Sequence, residues 1–290
     1  MESSINGKTA MFCLIGTPVG HSGSPAMYNY SFQAKGINAA YLAYDVPLEK
    51  TEAAIDALKT LGCRGFNITM PCKTRTAELV DELSDAARLI GACNTVVIKD
   101  GKLYGNNTDG MGFVKNLREN GVDVSGKRMT ILGAGGAATA IQVQSALDGA
   151  KKISIFNQKD DFFVNAEHTA EKIRAMLPAC EVQVYDIAHT QKLYEAIADS
   201  DILVNATKVG MKPLEDSTLV EDTSVFREDL VVADAVYNPR ETRLIKEAKA
   251  AGCKVAVGGI GMLLWQGAAA FKMFTGEEMP ADEVFEKFFK

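Results

Sequence analysis

With 290 residues, 47% hydrophobic and 23% charged, the chain has an ordinary globular composition and enough length for two domains. A net charge of −6 excludes nucleic acid or an anionic membrane surface as the main partner and points to something smaller. Six cysteines stand without a CxxC pair, which reads as reduced thiols in a cytoplasmic protein and neither a disulfide frame nor a metal site.

Met1–Lys8 is polar and lacks the charged-then-apolar order of a signal peptide, and no apolar run reaches the roughly 18 residues a membrane helix needs. Strand-like runs then alternate with amphipathic windows. Met11–Gly16 reads as a strand, Pro25–Lys35 as a helix, Ala40–Val46 as a strand and Glu49–Leu61 as a helix. Gly65–Thr69 is the third strand and 74–89 reads as one helix; Asn94–Ile98 and Lys102–Tyr104 then form a hairpin about Asp100-Gly101. This order predicts a mostly parallel α/β sheet with right-handed crossovers.

The pattern restarts near residue 115. Lys127–Leu132 is a strand, Gly133–Ala138 a tight turn and Thr139–Leu147 a helix; the strands Lys152–Phe156, Glu181–Tyr185, Ile202–Asn205, Leu230–Ala235 and Lys254–Val257 follow. A helix around Asn165–Met176 and others between most strands complete a doubly wound pattern. The expected domains are 1–114 and 115–265, with the site in the cleft between them. The helical segments Met262–Phe274 and Ala281–Phe289 either cap their own domain or return to the first.

Within this frame certain residue clusters carry chemistry. In an extended Asn67–Lys73, the side chains of Asn67, Thr69 and Lys73 project to one side, with Pro71 closing off ladder pairing; the stretch is either a pocket wall or a solvated edge. Cys72 beside Lys73 has no histidine near it in sequence and is a poor nucleophile candidate. After the first strand, Ser22 and Ser24 are paired hydroxyls, although Ser24 before Pro25 is equally a helix N-cap. Asn94 stands at a strand start, and Asp109 begins a helix, where capping is the plain alternative. The turn Gly133-Ala134-Gly135-Gly136-Ala137-Ala138 follows a strand and opens a helix, so its backbone can approach a pyrophosphate lying on the helix N-terminus. Past the next strand, a carboxylate at Asp160 or Asp161 suits both ribose hydroxyls and repels a 2′-phosphate. That weighs toward NAD, while Lys159 keeps NADP open.

Taken in order, these residues resemble the shikimate dehydrogenase family over nearly the whole length. Its motifs stand here as HSxSP at His21–Pro25, NxTxPxK at Asn67–Lys73, NT at Gly91–Thr95, NTDGxG at Asn107–Gly112 and GxGGxx at Gly133–Ala138. NATxxGM follows at Asn205–Met211, YNPxxT at Tyr237–Thr242 and MLxxQ at Met262–Gln266. Phe156-Asn157 leading to Asp160, Lys208, and Met262–Gly267 draw the likeness toward the quinate/shikimate dehydrogenase branch. The resemblance implies an N-terminal substrate domain, a Rossmann-type NAD(P) domain, and reversible oxidation of shikimate, with quinate as a second substrate, in the pathway to the aromatic amino acids. It implies that Ser22, Ser24, Thr69, Asn94, Tyr237 and Gln266 hold the ring's hydroxyls and carboxylate, with Lys73 and Asp109 at the reacting C–O group. Ala134, Gly135, Gly136 and Ala137 would hold the pyrophosphate, Asn157 and Asp160 the ribose, and Thr207, Lys208, Val236 and Gly259 the rest of the cofactor. One departure bears on the cofactor: the arginine usual after Asn157 is Gln158, which removes the guanidinium suited to a 2′-phosphate.

Two other readings stay open: a dehydrogenase of a related hydroxy-ring acid such as an amino-shikimate analogue, and a non-catalytic NAD or ligand sensor. A Lys73/Asp109 pair speaks against the sensor, since sensing needs no proton donor. The sequence sets no oligomeric state, a homodimer being one option.

Overall fold

A computed structural model describes residues 5–290. The chain forms two compact units, one running to Thr108 and completed by Gln266–Lys290, the other spanning Asp109–Trp265. In the first, the chain runs β1 (Ala10–Gly16), α1 (Ser24–Ala34), β2 (Ala39–Asp45), α2 (Thr51–Thr60), β3 (Gly65–Ile68), α3 (Lys73–Leu79), β4 (Glu82–Leu83), α4 (Asp85–Ile90), β5 (Thr95–Lys99) and β6 (Lys102–Asn106). The sheet order is β2-β1-β3-β5-β6-β4. β1 pairs in parallel with β2 and β3, whereas β5 is antiparallel to β3 and β6. The β5–β6 turn places Asp100 at φ 52° and Gly101 at φ 78°, the two left-handed positions a tight hairpin requires.

The single helix expected over 74–89 is instead α3 and α4 with β4 between them. Asp81 prevents continuity: its N–H donates to the Leu103 carbonyl at 3.0 Å and its carboxylate accepts the Leu103 N–H at 2.7 Å. Ser84 then starts α4 by accepting the Ala87 N–H at 3.3 Å. Short polar side chains that bond the backbone compete with helix, and two of them here outweigh the apolar periodicity.

The second unit runs α5 (Asp109–Glu119), β7 (Arg128–Leu132), α6 (Gly136–Leu147), β8 (Lys152–Asn157), α7 (Asp161–Met176), β9 (Glu181–Asp186), α8 (Thr190–Asp199), β10 (Ile202–Asn205), β11 (Val231–Asp234), α9 (Arg243–Ala250) and β12 (Val255–Val257). Its sheet is parallel throughout in the order β12-β11-β10-β7-β8-β9, so the winding reverses between β7 and β10. The division at 108/109 leaves α5 whole, where a cut at 114/115 would fall inside it. α5 lies directly on α6: a Cβ on Gly110 would stand 2.2 Å from the Ala140 carbonyl oxygen.

α10 (Ile260–Thr275) carries the chain back, and α11 (Ala281–Phe288) ends it. From Gln266 onward α10 belongs to the first unit, where Phe274 packs 5.0 Å from Phe12 and Phe271 packs 5.4 Å from Phe32, centroid to centroid. These rings, with buried Tyr28 and Tyr41, form an aromatic core on one side of the sheet, while Phe66 packs on the other with Cys13, Ile15, Ile55 and Leu58. Gly65 is required beneath the aromatic core, since a Cβ there would meet the Phe274 ring at 2.7 Å. Among the described residues, no helix is long and apolar enough to cross a membrane.

Candidate active site

In the first unit the expected substrate residues gather around the carboxyl ends of β1 and β3. Antiparallel pairing brings the amino end of β5 to the same place, and the Ile68 N–H donates to the Asn94 carbonyl at 2.8 Å. Thr69 follows β3 directly and presses on the end of β1: a Cβ on Gly16 would meet its methyl at 2.5 Å. Gly16 has φ +143°, so both its space and its backbone favour glycine. Met70–Cys72 turns the chain through a cis Met70–Pro71 bond, and Lys73 opens α3.

That turn corrects the idea of one extended stretch presenting Asn67, Thr69 and Lys73 to a common face. The strand ends at Ile68, and Asn67 is a buried core residue. Its amide oxygen accepts the Tyr41 hydroxyl at 2.8 Å, and its nitrogen donates to Thr95 Oγ1 at 2.9 Å and to the Asn94 carbonyl at 3.2 Å. Lys73 instead opens a helix. Its carbonyl accepts the Cys93 N–H at 3.2 Å, which sets Lys73 beside Asn94. Burial, partly offset by the nearby Lys73 charge, pushes the Cys93 thiol up to about 12. Cys72, the doubtful nucleophile, is fully buried with its thiol on the Val46 carbonyl at 3.3 Å.

Asn94 is itself held from within: its Oδ1 accepts the Thr108 N–H at 2.8 Å and the Thr95 hydroxyl at 2.9 Å. Ser22 and Ser24 lie half-buried at the start of α1. Gly23, not Ser24, occupies the cap position, and Ser22 Oγ accepts the Ser24 N–H at 3.2 Å. Gln266 is brought to the same end of α1 by its neighbour Gly267, whose carbonyl accepts the Tyr28 hydroxyl at 3.1 Å and whose Cα leaves room for Met27. Ser22, Ser24, Thr69, Lys73, Asn94 and Gln266 all belong to the first unit. Asp109, which opens α5, and Tyr237, 52% exposed after β11, belong to the second.

The glycine turn of the second unit opens a helix with free space before it. Gly133 has φ +111°, and a Cβ there would meet Thr207 at 2.9 Å, so the turn lies tight against the chain after β10. Gly135 caps the 12-residue α6 with no side-chain hydrogen bond, and a Cβ at Gly135 or Gly136 would meet nothing within 4 Å. Gly136 and Ala137 are exposed and Ala134 is buried. Unsatisfied N–H groups at a helix start, with open space before them, suit a pyrophosphate. Gln142 fixes the turn from below by donating to the Gly133 carbonyl at 3.0 Å.

After β8, Asp160 is an N-cap. Its Oδ1 accepts the N–H groups of Phe162 (3.0 Å) and Phe163 (3.2 Å) and the Asn157 amide (2.9 Å). The cap starts α7 at Asp161, four residues before the expected start at Asn165. The side chain stays exposed, and its Oδ2 takes none of those three bonds. Asp160 and Asn157 therefore act as one rigid group at the carboxyl end of β8.

Thr207, Lys208, Val236 and Gly259 lie on the loops after β10 and β11 and at the start of α10. Sequence reasoning missed what organises them, a buried cluster of Asn205, Asp234 and Thr242. Its one sequence signal is a carboxylate closing the otherwise apolar strand Val231-Val232-Ala233-Asp234. Burial pushes the Asp234 carboxyl up to about 6, against the opposing hydrogen bonds from Thr242, Val236 and Asn205.

Known proteins resemble this chain in sequence and in fold. A family model described as the shikimate dehydrogenase substrate binding domain matches residues 14–96, and one described as the shikimate 5′-dehydrogenase C-terminal domain matches 259–284. A curated shikimate dehydrogenase (NADP(+)) from Streptococcus uberis is 49% identical over 291 residues, covering 100% of this chain and 98% of that one. The crystal structure of shikimate 5-dehydrogenase from Listeria monocytogenes, in complex with shikimate and NAD, has a TM-score of 0.95 at 48% identity over 97% of both chains. Quinate dehydrogenase from Corynebacterium glutamicum, in complex with NAD, has a TM-score of 0.85 at 31% identity over 97% of this chain and 99% of that one. Identity of this extent, sustained from end to end across both units, makes the chain a member of the shikimate dehydrogenase family of oxidoreductases.

Proposed function

We propose that this protein catalyses the reversible NAD(P)-dependent reduction of 3-dehydroshikimate to shikimate, with 3-dehydroquinate and quinate as a second pair. The observation that carries this reading is Lys73 at the start of α3, beside Asn94 and one turn beyond Thr69, in a chain 48% identical to a protein crystallised with shikimate and NAD. Reduction builds negative charge on the carbonyl oxygen, and an ammonium at Lys73 stabilises that charge and donates the proton. Asp109 is assigned as its acidic partner. Ser22, Ser24, Thr69, Asn94, Tyr237 and Gln266 hold the ring. Asn94 Oδ1 accepts from the Thr108 N–H and the Thr95 hydroxyl, which fixes the orientation of its amide. When bound, a nicotinamide dinucleotide supplies or accepts the hydride. Ala134, Gly135, Gly136 and Ala137 receive its pyrophosphate, Asn157 and Asp160 its ribose, and Thr207, Lys208, Val236 and Gly259 the remainder.

Between the two cofactors, NAD is the preferred one. The Asp160 carboxylate, held by three donors and still exposed, would accept from a ribose diol and repel a phosphate on it, and Gln158 supplies no guanidinium. The Streptococcus uberis relative is named for NADP(+), which weighs the other way. Absorbance at 340 nm, followed with shikimate and with quinate against NAD and NADP, tests the reading. The expected result is turnover of shikimate with a higher kcat/KM for NAD. A flat trace in all four combinations rejects the dehydrogenase, and a higher kcat/KM for NADP rejects the cofactor preference alone.

A further inference from the structure

The loops assigned to the cofactor leave the carboxyl ends of β10 and β11, and one carboxylate stands at the root of both. Asp234 is the last residue of β11 and only 2% exposed. Its Oδ1 accepts the Asn205 amide and the Val236 backbone N–H, each at 2.9 Å, and its Oδ2 accepts the Thr242 hydroxyl at 2.6 Å. Each bond leads outward. Asn205 Oδ1 accepts both the N–H (3.2 Å) and the hydroxyl (2.8 Å) of Thr207, and its amide also donates to the Val209 carbonyl at 2.9 Å. The loop of Thr207, Lys208 and Val209 is thereby fixed.

On the second branch, the Val236 carbonyl accepts the Gly259 N–H at 3.0 Å. Gly259 sits so close that a Cβ would stand 2.2 Å from the Ala235 carbonyl oxygen. On the third, Thr242 accepts the Ile245 N–H at 3.4 Å to cap α9, and it closes against Gly210 (φ +98°), whose Cβ would meet the Thr242 methyl at 3.1 Å.

The chemistry of the hub selects a carboxylate. All three partners of Asp234 donate, and an ionised carboxylate is the side chain that accepts at every position. An asparagine would set an amide N–H against one of those donors. Burying such a group is costly unless it is fully hydrogen-bonded, as it is here. We propose that Asp234 is a positioning residue for the dinucleotide, holding Thr207, Lys208, Val236 and Gly259 in the shape that binds it and acting only through them. The inference rests on the functional reading above.

The test uses the full-length protein with Asp234→Asn, Thr242→Val and Thr242→Ser. Kinetics give kcat and KM for both substrates, and calorimetry gives the Kd of whichever dinucleotide the wild type binds tighter. Asp234→Asn and Thr242→Val should raise Kd and KM for the dinucleotide roughly tenfold or more, while kcat at saturation and KM for shikimate change less than about threefold. Thr242→Ser, which keeps the hydroxyl, should bind like the wild type. A folded Asp234→Asn with unchanged dinucleotide Kd overturns the proposal, and so does equal loss in every parameter. If Asp234→Asn does not fold, the Thr242 pair decides: valine and serine binding alike overturns it. A wild type that binds dinucleotide without oxidising shikimate or quinate rejects the functional reading, while the Kd comparison still judges Asp234. One that binds neither NAD nor NADP rejects both.

Discussion

Lys73 follows a fully buried Cys72 and precedes an exposed Thr74, so its position at the start of α3 fixes the root of its side chain on the site. If it donates the proton, Lys73→Ala should lower kcat by about 10²–10⁴-fold while KM for shikimate rises less than about tenfold. Steady-state kinetics check this, and a variant that keeps most of its turnover removes Lys73 from the mechanism. Asp234 offers a test by pH. Its carboxyl is raised from 3.8 to about 6 in the folded protein, so folding favours the protonated form. The stability it contributes is present below about pH 4 and is lost as pH rises through about 6. A rise of about two pH units corresponds to about 3 kcal/mol. Asp234→Asn cannot titrate there. The stability of the wild type relative to this variant should therefore fall by up to about 3 kcal/mol between pH 4 and pH 7, read from urea denaturation at each pH. Parallel pH curves for the two proteins would rule this out.

At the scale of elements, side chains that bond the backbone explain most of the departures from periodicity. Asp81 and Ser84 split the helix expected over 74–89. Asp160 starts α7 early, and the residue read from sequence only as a ribose ligand is also that helix's cap. Capping and ligand binding are compatible here, because the cap uses one carboxylate oxygen. Close helix packing imposes a stricter demand at Gly110. A methyl group there would stand 2.2 Å from a backbone oxygen of α6, which cannot move without disturbing the helix that follows the glycine turn. Gly110→Ala should cost about 1–3 kcal/mol of stability, measured by urea unfolding. An unchanged midpoint and slope would show that α5 and α6 separate at no cost.

At the scale of the whole molecule, the first unit is discontinuous in sequence. Its aromatic core takes Phe271 and Phe274 from α10, and the Tyr28 hydroxyl bonds a carbonyl 239 residues away. Losing a single buried phenylalanine costs about 3–5 kcal/mol, and total stability is roughly 5–15 kcal/mol. A chain ending at Trp265 should therefore leave the first unit unfolded, with the near-UV circular dichroism of its tyrosines lost and its segments open to proteolysis. A truncated protein with residues 10–106 protected as in the full chain would disprove it.

The sequence by itself determined the two α/β patterns, the glycine turn and the hairpin at Asp100-Gly101, and its ordered motifs were enough to recognise the family. These features are local: periodicity, left-handed turn positions and motif spacing are properties of residues close together along the chain. Only the tertiary structure decided that Asn67 is core, that Lys73 opens a helix beside Asn94, that Gln266–Lys290 completes the first unit, and that Asp234 gathers two loops. Each of these depends on partners brought together by sheet pairing and aromatic packing. A carboxylate closing an apolar strand marks Asp234 but does not say that Asn205 bonds it, and a ring contact between Phe12 and Phe274 leaves no pattern in the sequence around either residue.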